Sequence, residues 1–222
     1  MKTKQILALV AILLLGINYV AAQGFGVRAG VNFQNINGKD ASGDALENKL
    51  ITGFNIGANY EIPVGTDIYF QPGLLFSTKG GKSTGEILGV KYDSKVMTSN
   101  IEVPLNIIFK PLLGTGHMLL GFGPYVAYGI GGKVKVESGG EEEESDIEFT
   151  NEVTEDDLLT DKYYLKPFDA GANFIIGYEL ESMLSLQLNA QLGLLNIYPK
   201  QPVDTETSFK NTGFGLSIGY RF

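Results

Sequence analysis

The chain has 222 residues, a formal net charge of −8, no cysteine and a mean hydropathy near zero. This acidic balance argues against a nucleic-acid-binding protein, because contacts to the phosphate backbone depend on lysine and arginine. The lack of cysteine excludes disulfides, thiolate metal sites and a lipid anchor on a mature terminal cysteine.

The amino-terminal residues 1–22 have the three parts of a secretory signal peptide. Two lysines precede the apolar stretch Ile6–Leu15, and Val20–Ala22 supplies the small residues typical of a cleavage site. The apolar stretch is shorter than the roughly 20 residues of a transmembrane helix, so a retained anchor is the less favoured alternative. We predict a signal peptide over residues 1–22 and one mature domain over 23–222.

Beyond this leader, apolar residues alternate with small or polar residues at a period of two. Such alternation predicts strands that have one apolar face and one small or polar face. The eight predicted strands span approximately residues 24–36, 50–62, 66–79, 96–110, 117–136, 164–180, 184–194 and 212–222. Each can supply the roughly 9–11 tilted residues with which a strand crosses a bilayer.

The connections between these strands alternate in length. Three are tight turns, and four are longer: approximately residues 37–49, 80–95, 138–162 and 199–207. Short turns at one end and long loops at the other describe an antiparallel up-and-down meander whose short-turn end is periplasmic. We therefore predict an all-β, eight-stranded antiparallel transmembrane β-barrel in the cell outer membrane, with outer-membrane lipid as its partner.

The composition of the two faces indicates which of them points outward. The non-apolar face is mostly Gly, Asn, Gln and Ser, whereas a soluble, lipocalin-like barrel would expose many more charges. Small side chains also suit the narrow interior of an eight-stranded barrel. Aromatic residues near both ends of the apolar face predict two interfacial girdles. They are Phe25, Tyr60, Phe109, Tyr178, Tyr220 and Phe222 at one end, and Phe33, Phe76, Phe168 and Tyr198 at the other.

Four prolines fit this pattern poorly, because proline cannot donate a hydrogen bond to a ladder and a closed barrel has no edge strand. They are Pro72, Pro104, Pro124 and Pro167. We expect bulges or local breaks in the ladder where these prolines lie.

Several motifs along the mature chain resemble those of the PorT-like outer-membrane β-barrel proteins. The motifs are Gly26–Phe33, Phe70–Gly80, Ile101–Leu105, Gly123–Tyr128 and Gly219–Phe222. Three of the four prolines lie within them. The resemblance covers nearly the whole mature chain and implies an eight-stranded barrel. It implies little about activity, because that family is defined by its fold.

Candidate chemical groups are few. His117 is the one histidine of the sequence, and we expect it at a periplasmic turn, remote from the long loops. This argues against a His-based catalytic triad at the outer surface and excludes a multi-histidine metal site within one chain. The glycines of Gly24–Gly30 superficially match a dinucleotide fingerprint, but no strand precedes them and no helix follows. We therefore predict no catalytic, cofactor-binding or metal-binding residues.

The segment from Glu137 to Asp161 contains twelve of the 25 acidic residues and no lysine or arginine. A charge run of this kind favours a solvated, mobile loop. Weak binding of divalent cations or of a basic partner stays open as the alternative, although the spacing does not match an EF-hand.

A second group of charges, Arg28, Glu102 and Asp169, lies on the predicted lumen face. Charges enclosed in a narrow barrel are costly unless they are paired. An ion-pair plug is therefore favoured over a polar path for a small solute.

Together these features predict a non-enzymatic envelope protein with a structural or interaction role and a specific activity that the residues leave open. Its partners would be the β-barrel assembly machinery during biogenesis, which reads terminal strands such as the one that ends at Phe222, and an envelope or extracellular protein bound by the long loops. A membrane-embedded lipid-modifying enzyme and a barrel for small-solute transport or secretion are the alternatives.

Overall fold

The computed structural model describes residues 24–87, 90–157, 160, 162–202 and 206–222. The predicted signal peptide lies outside these residues. Among them, no helix is long and apolar enough to cross a membrane. The strands are β1 (Phe25–Lys39), β2 (Ile51–Tyr60), β3 (Ile62–Gly65), β4 (Ile68–Ile87), β5 (Val90–Phe109), β6 (Leu112–Leu113), β7 (Gly116–Ser138), β8 (Glu141–Phe149), β9 (Tyr163–Leu165), β10 (Phe168–Glu179), β11 (Leu184–Gly193) and β12 (Ser208–Arg221).

Eight of the strands in the described part of the chain form a closed antiparallel ring. Their order is β1, β2, β4, β5, β7, β10, β11 and β12, and β12 pairs back with β1 from Gly26↔Arg221 to Lys39↔Ser208. The backbone nitrogen of Phe222 donates to the Phe25 oxygen at 2.9 Å and extends this closure. The predicted eight-stranded antiparallel barrel is confirmed.

Side chains alternate between the outside of the barrel and its lumen as the sequence predicts. On β11, Leu188 points outward and is 56% exposed, whereas its neighbour Gln187 points inward and is 6% exposed. The outward residues of the other ring strands are likewise apolar, and the buried lumen side chains are largely polar. This arrangement suits lipid outside and a polar interior, and it rules out a lipocalin-like orientation of the faces.

The predicted long connections contain more strand than expected. Residues 80–95 were predicted to be a loop, but β4 continues to Ile87 and β5 begins at Val90, so this prediction is wrong. The two strands pair continuously from Lys79↔Thr98 to Ile87↔Val90. The apolar alternation disappears here because neither face of this hairpin meets lipid, yet the backbone ladder continues without it.

The prolines coincide with interruptions of the ladder, as expected. Between β5 and β7, the pairing stops after Pro104↔Tyr125 and resumes at Ile107↔Phe122, which leaves Pro124 unpaired on this side. Pro167 differs from the prediction, since it lies just before β10 and outside any strand.

The proposed girdles are partly supported by the positions of the rings. At the short-turn end, the Phe222 ring lies 5.8 Å from that of Phe25 and 5.1 Å from that of Tyr220. Tyr198, however, is not on the lipid face: its ring packs edge-on against Phe209 at 4.9 Å, beyond the end of β11. Its assignment to the outer girdle is therefore wrong.

Candidate functional site

The lumen of the barrel is filled by side chains that project from all eight ring strands. Where the largest of these side chains lie against the wall of the barrel, the wall residue must be glycine. A Cβ on Gly171 would lie 2.7 Å from the Tyr125 ring, and a Cβ on Gly121 would lie 2.4 Å from Ile108. The interior is thus packed as a core, which is typical of an eight-stranded barrel.

Toward the long-hairpin end, Lys79 lies at the centre of a buried group that we call the upper cluster (Lys79, Glu102, Tyr125 and Asp169). The Lys79 side chain has no solvent exposure, and its Nζ lies 3.1 Å from both Glu102 Oε2 and Asp169 Oδ2. The same ammonium lies 4.1 Å from the centre of the Tyr125 ring. Two carboxylates therefore share one cation, over the face of an aromatic ring that also attracts it.

Neutral donors complete the upper cluster. Asp169 Oδ2 accepts hydrogen bonds from Tyr125 Oη at 3.2 Å and Asn211 Nδ2 at 3.0 Å. Glu102 Oε1 accepts from Gln191 Nε2 at 2.8 Å. These bonds offset much of the desolvation cost of burying two carboxylates.

At the short-turn end lies a second buried group, the lower cluster (Glu61, Lys110, Glu179 and Arg221). Lys110 Nζ lies 2.9 Å from Glu61 Oε2 and 2.8 Å from Glu179 Oε1. Arg221 binds the same two carboxylates, with its Nε 3.3 Å from Glu179 Oε2 and its Nη2 on Glu61 Oε1. Two cations and two anions thus form a closed, neutral ring of ion pairs.

Between the two clusters, the lumen contains an apolar layer and a small polar cavity. Ile108, Leu119 and Ile175 pack together inside the barrel. The cavity has a volume of about 40 Å³, and its lining includes Arg28 and Glu102. This volume is enough for a few water molecules, and Arg28 Nε is one of the buried polar atoms without a partner among the described residues.

The predicted lumen charges are therefore only partly brought together. Glu102 and Asp169 are buried in the lumen and form ion pairs there as predicted, but their cation is Lys79, and Arg28 forms no ion pair with a described residue. Sequence reasoning did not include Lys79 in this group, and it missed most of the lower cluster. Strand parity is the signal that could have found Lys79, Glu179 and Arg221, since each shares the parity of buried polar neighbours on its own strand. Lys79 has the parity of Ser77, for example. Glu61 and Lys110 lie one residue beyond the ends of β2 and β5, where parity gives no such signal.

At the outer end, the acidic segment forms part of a hairpin and is not a free loop. Over Glu141–Asp146, β8 pairs with Lys133–Ser138 of β7, so the prediction of a loop is wrong for these residues, although residues 141–144 are exposed to solvent as expected. The Glu144 carboxylate binds both Lys133 and Lys135, the latter at 3.1 Å. The segment Glu137 to Asp161 has no lysine or arginine of its own, but the neighbouring strand β7 provides the lysines that neutralise Glu144.

These exposed ion pairs also change the proton affinities of their members. Hydrogen bonds from Lys133 and then Lys135 lower the pKa of the Glu144 carboxyl. The pKa of each lysine is raised, chiefly by its hydrogen bond to Glu144 or to Glu142, respectively. The hairpin therefore keeps its charges over a wide pH range.

Above the membrane, the extended hairpins enclose an open cavity of about 640 Å³, which we call the outer cup. One wall is the inner face of β4, β5, β7 and β8, and the opposite wall includes the segment 40–48 and Phe209 of β12. Beneath its surface, Val134, Ile147 and Leu165 form a small apolar core. The lining of the cup is both polar and apolar.

Within the described residues, no group of three or more His, Asp or Glu side chains is placed to hold a metal ion. His117 lies one residue into β7, opposite Leu112 and Glu179, at the short-turn end as predicted, though in a strand and not in the turn itself. It is thus at the opposite end of the barrel from the outer cup.

The chain is similar to two solved structures of bacterial proteins. Neisserial surface protein A is 12% identical over 90% of this chain and 97% of its own, with a TM-score of 0.45. The attachment invasion locus protein Ail of Yersinia pestis is 14% identical over 90% and 99%, with a TM-score of 0.39. No curated protein matches the chain in sequence. The family model described as "Outer membrane protein beta-barrel domain" matches residues 21–198. The chain therefore belongs to the outer membrane protein beta-barrel domain family and resides in the outer membrane.

Proposed function

We propose that this protein is a non-enzymatic interaction protein of the envelope: its closed barrel serves as a membrane anchor, and its extracellular end binds a partner. The observation that carries the proposal is the contrast between the two parts of the molecule. The lumen is filled by paired charges and an apolar layer, whereas the strands continue far beyond the membrane and enclose the outer cup.

The filled lumen argues against transport of solutes. A solute crossing the barrel would have to break the lower cluster, in which each of the four charged groups contacts two opposite charges. It would then meet Ile108, Leu119 and Ile175 and, at the far end, the upper cluster. Breaking a buried ion pair leaves uncompensated charges and costs about 3–5 kcal/mol, so each cluster is a substantial barrier.

The outer end has the size of an interaction surface. The apolar outward face of β4 ends near Phe76, whose ring packs against that of the exposed Phe54, and the strand continues to Ile87. At about 3.3 Å per residue, this extension is roughly 35 Å long. Because long connections are extracellular in outer-membrane barrels, the extension and the cup face the outside of the cell.

The chemistry of the described residues supports a role without catalysis. The one histidine of the sequence is at the periplasmic end, and the strongly coupled carboxylates of the lumen are bound to lysine or arginine. A nucleophile at the outer rim would need a general base within hydrogen-bond reach, and the carboxylates of Asp93, Glu144 and Glu148 there are each bound to a lysine.

Two finer assignments complete the proposal. We infer that residues 1–22 are a cleaved signal peptide, which mass spectrometry of the mature protein would test through a terminus at Gln23. We also infer membership of the PorT-like group, supported by the five motifs that span the mature chain, such as Gly26–Phe33. Secretion, the role associated with the namesake of that group, is not transferred.

The decisive test of the closed lumen is the conductance of the protein in planar bilayers. The refolded protein is expected to give no single-channel steps, with a porin as the positive control. Photo-crosslinking in intact cells tests the interaction role: a crosslinker at Tyr163, on the rim of the cup, should capture an envelope or extracellular protein that one at Leu113, in β6 at the short-turn end, does not. Regular conductance steps, or identical products from both positions, would contradict the proposal.

A further inference from the structure

The outer cup is a preformed cavity with fixed walls. Backbone hydrogen bonds fix the end of the segment 40–48: Lys49 N donates to Lys82 O at 2.6 Å, and Lys82 N donates to Lys49 O at 3.0 Å. Within the segment, Asn48 Nδ2 donates to the Ile36 oxygen at 2.7 Å. A nearby part of the wall is held by the bond from Val153 N to Lys200 O at 2.9 Å. A cavity of about 640 Å³ is within the range of small-molecule sites, roughly 300–1,000 Å³.

The deep part of the cup is apolar. Its base is the core of Val134, Ile147 and Leu165, which are at least 94% buried, and the half-buried Val96 and Phe209, which pack against this core, supply the accessible apolar surface. The core residues come from β7, β8 and β9, so this surface exists only when the outer hairpins are assembled on the barrel. This floor fits the hydrocarbon or aromatic body of a ligand.

The walls of the cup are rich in tyrosine. Tyr92, Tyr163, Tyr164 and Tyr198 all line it. They are only partly buried or exposed, so their rings retain surface for a ligand. Aromatic rings bind apolar groups, and their faces also attract organic cations.

The charges that line the cup have an acidic excess. The charged lining residues are Asp40, Glu47 and Lys162. Lys162 is already neutralised, because its Nζ lies 2.6 Å from Glu148 Oε1. Neither Asp40 nor Glu47 forms an ion pair with a described residue. The cup thus combines an apolar floor, aromatic walls and unneutralised carboxylates.

From this combination, we infer that the outer cup binds an amphipathic organic cation, with its apolar body on the floor and its ammonium group near Asp40 and Glu47. The inference deepens the proposed function, on which it rests, by naming the chemical class that the extracellular end recognises. Charge complementarity favours a cation over an anion, and the apolar floor favours an amphiphile over a strongly polar sugar.

Three soluble probes test the inference: phenylbutyltrimethylammonium, phenylbutanol and phenylbutyrate. Each has a phenyl ring on a four-carbon chain, and they differ in the charge of the group at its end. Their binding is measured by isothermal titration calorimetry and saturation-transfer NMR on the full protein in zwitterionic lipid nanodiscs, with empty nanodiscs as the blank. The cation is expected to bind at least about tenfold more tightly than the alcohol, and the carboxylate more weakly than either.

Matched variants separate a local site from the acidic field of the whole protein. Glu47→Gln removes one charge inside the cup, and Glu141→Gln removes the same charge at the tip of the β7–β8 hairpin. Glu47→Gln should weaken binding of the cation about three- to tenfold and leave the alcohol unchanged, while Glu141→Gln should have little effect. Ser94→Arg, which places a cation in the cup, should abolish binding of the cationic probe. The mobility of each unheated variant on detergent gels shows that its barrel is folded.

Several outcomes would overturn the inference. Equal affinity for the three probes would show that charge does not select the ligand, and preference for the carboxylate would reverse its sign. Equal effects of Glu47→Gln and Glu141→Gln would show a general field and no site in the cup. Absence of binding by a folded protein that shows no conductance and still crosslinks at Tyr163 would refute the cation while leaving the proposed function standing.

Discussion

Replacing Lys79 by methionine removes the ammonium group at the centre of the upper cluster and keeps most of the side-chain volume. In the native barrel, this group lies 3.1 Å from an oxygen of Glu102 and from one of Asp169, with no solvent exposure. Its loss leaves two buried carboxylates without their shared cation, which typically costs about 3–5 kcal/mol. Arg28 attracts Glu102 without forming an ion pair, so we expect a loss near the lower end of that range.

The free energy of unfolding would be measured by urea titration in zwitterionic micelles, from far-UV circular dichroism and from the unheated band on detergent gels. Lys82→Met is the matched control, because Lys82 lies on the same strand in a partly exposed ion pair with Asp93 and its loss should cost less than about 1 kcal/mol. Adding Glu102→Gln and Asp169→Asn to Lys79→Met should recover most of the stability. Equal midpoints for the Lys79 and Lys82 variants would refute this account of the lumen.

Three further predictions concern other parts of the chain. Leu188→Arg puts a charge on the lipid face and should destabilise the barrel by about 2–4 kcal/mol in the same titration, whereas an unchanged midpoint would put Leu188 outside the membrane. Deletion of Phe222 removes its backbone bond to Phe25 and should lower the amount of assembled protein in outer-membrane fractions; an undiminished yield would make this residue incidental. Because the folded pKa of Glu144 is lowered, its stabilising effect is present above the ordinary glutamate pKa of about 4.3 and is lost as the pH falls through the lowered value. A carboxyl NMR titration should therefore have its midpoint below about 4.3, and a midpoint at or above this value would contradict the pairing with Lys133.

The transmembrane part of the fold was predictable because lipid imposes a strict rule on each strand. Outward positions such as Leu188 must be apolar, and inward positions such as Gln187 must fit a narrow polar lumen. The alternation thus revealed the ring strands and their faces. The long hairpins escaped prediction because water lies on at least one side of them. No lipid constrains their outward positions to be apolar, so polar residues such as Lys82 and Asp93 are allowed there and the apolar–polar alternation is no longer visible.

The contacts within the lumen show a similar division. Parity along a strand places Glu102 and Asp169 inside the barrel, and it could have placed Lys79 there as well. It does not say which residues meet, because the tilt and stagger of the strands set the relative heights of side chains around the barrel. For that reason, Arg28 was an equally reasonable partner for the two acids until the register of the ring placed Lys79 between them.

By itself, the sequence determined the membrane environment, the class of fold and the direction of each strand face. These depend on the local alternation of apolar and polar residues, which lipid on one side of the strand and the polar lumen on the other enforce. Only the tertiary structure decided which cation neutralises which carboxylate, that the acidic segment is paired with Lys133 and Lys135, and that the outer hairpins enclose a cup. These features join residues from strands far apart in the chain. Their physical cause is the register in which the barrel closes, and no single segment contains that information.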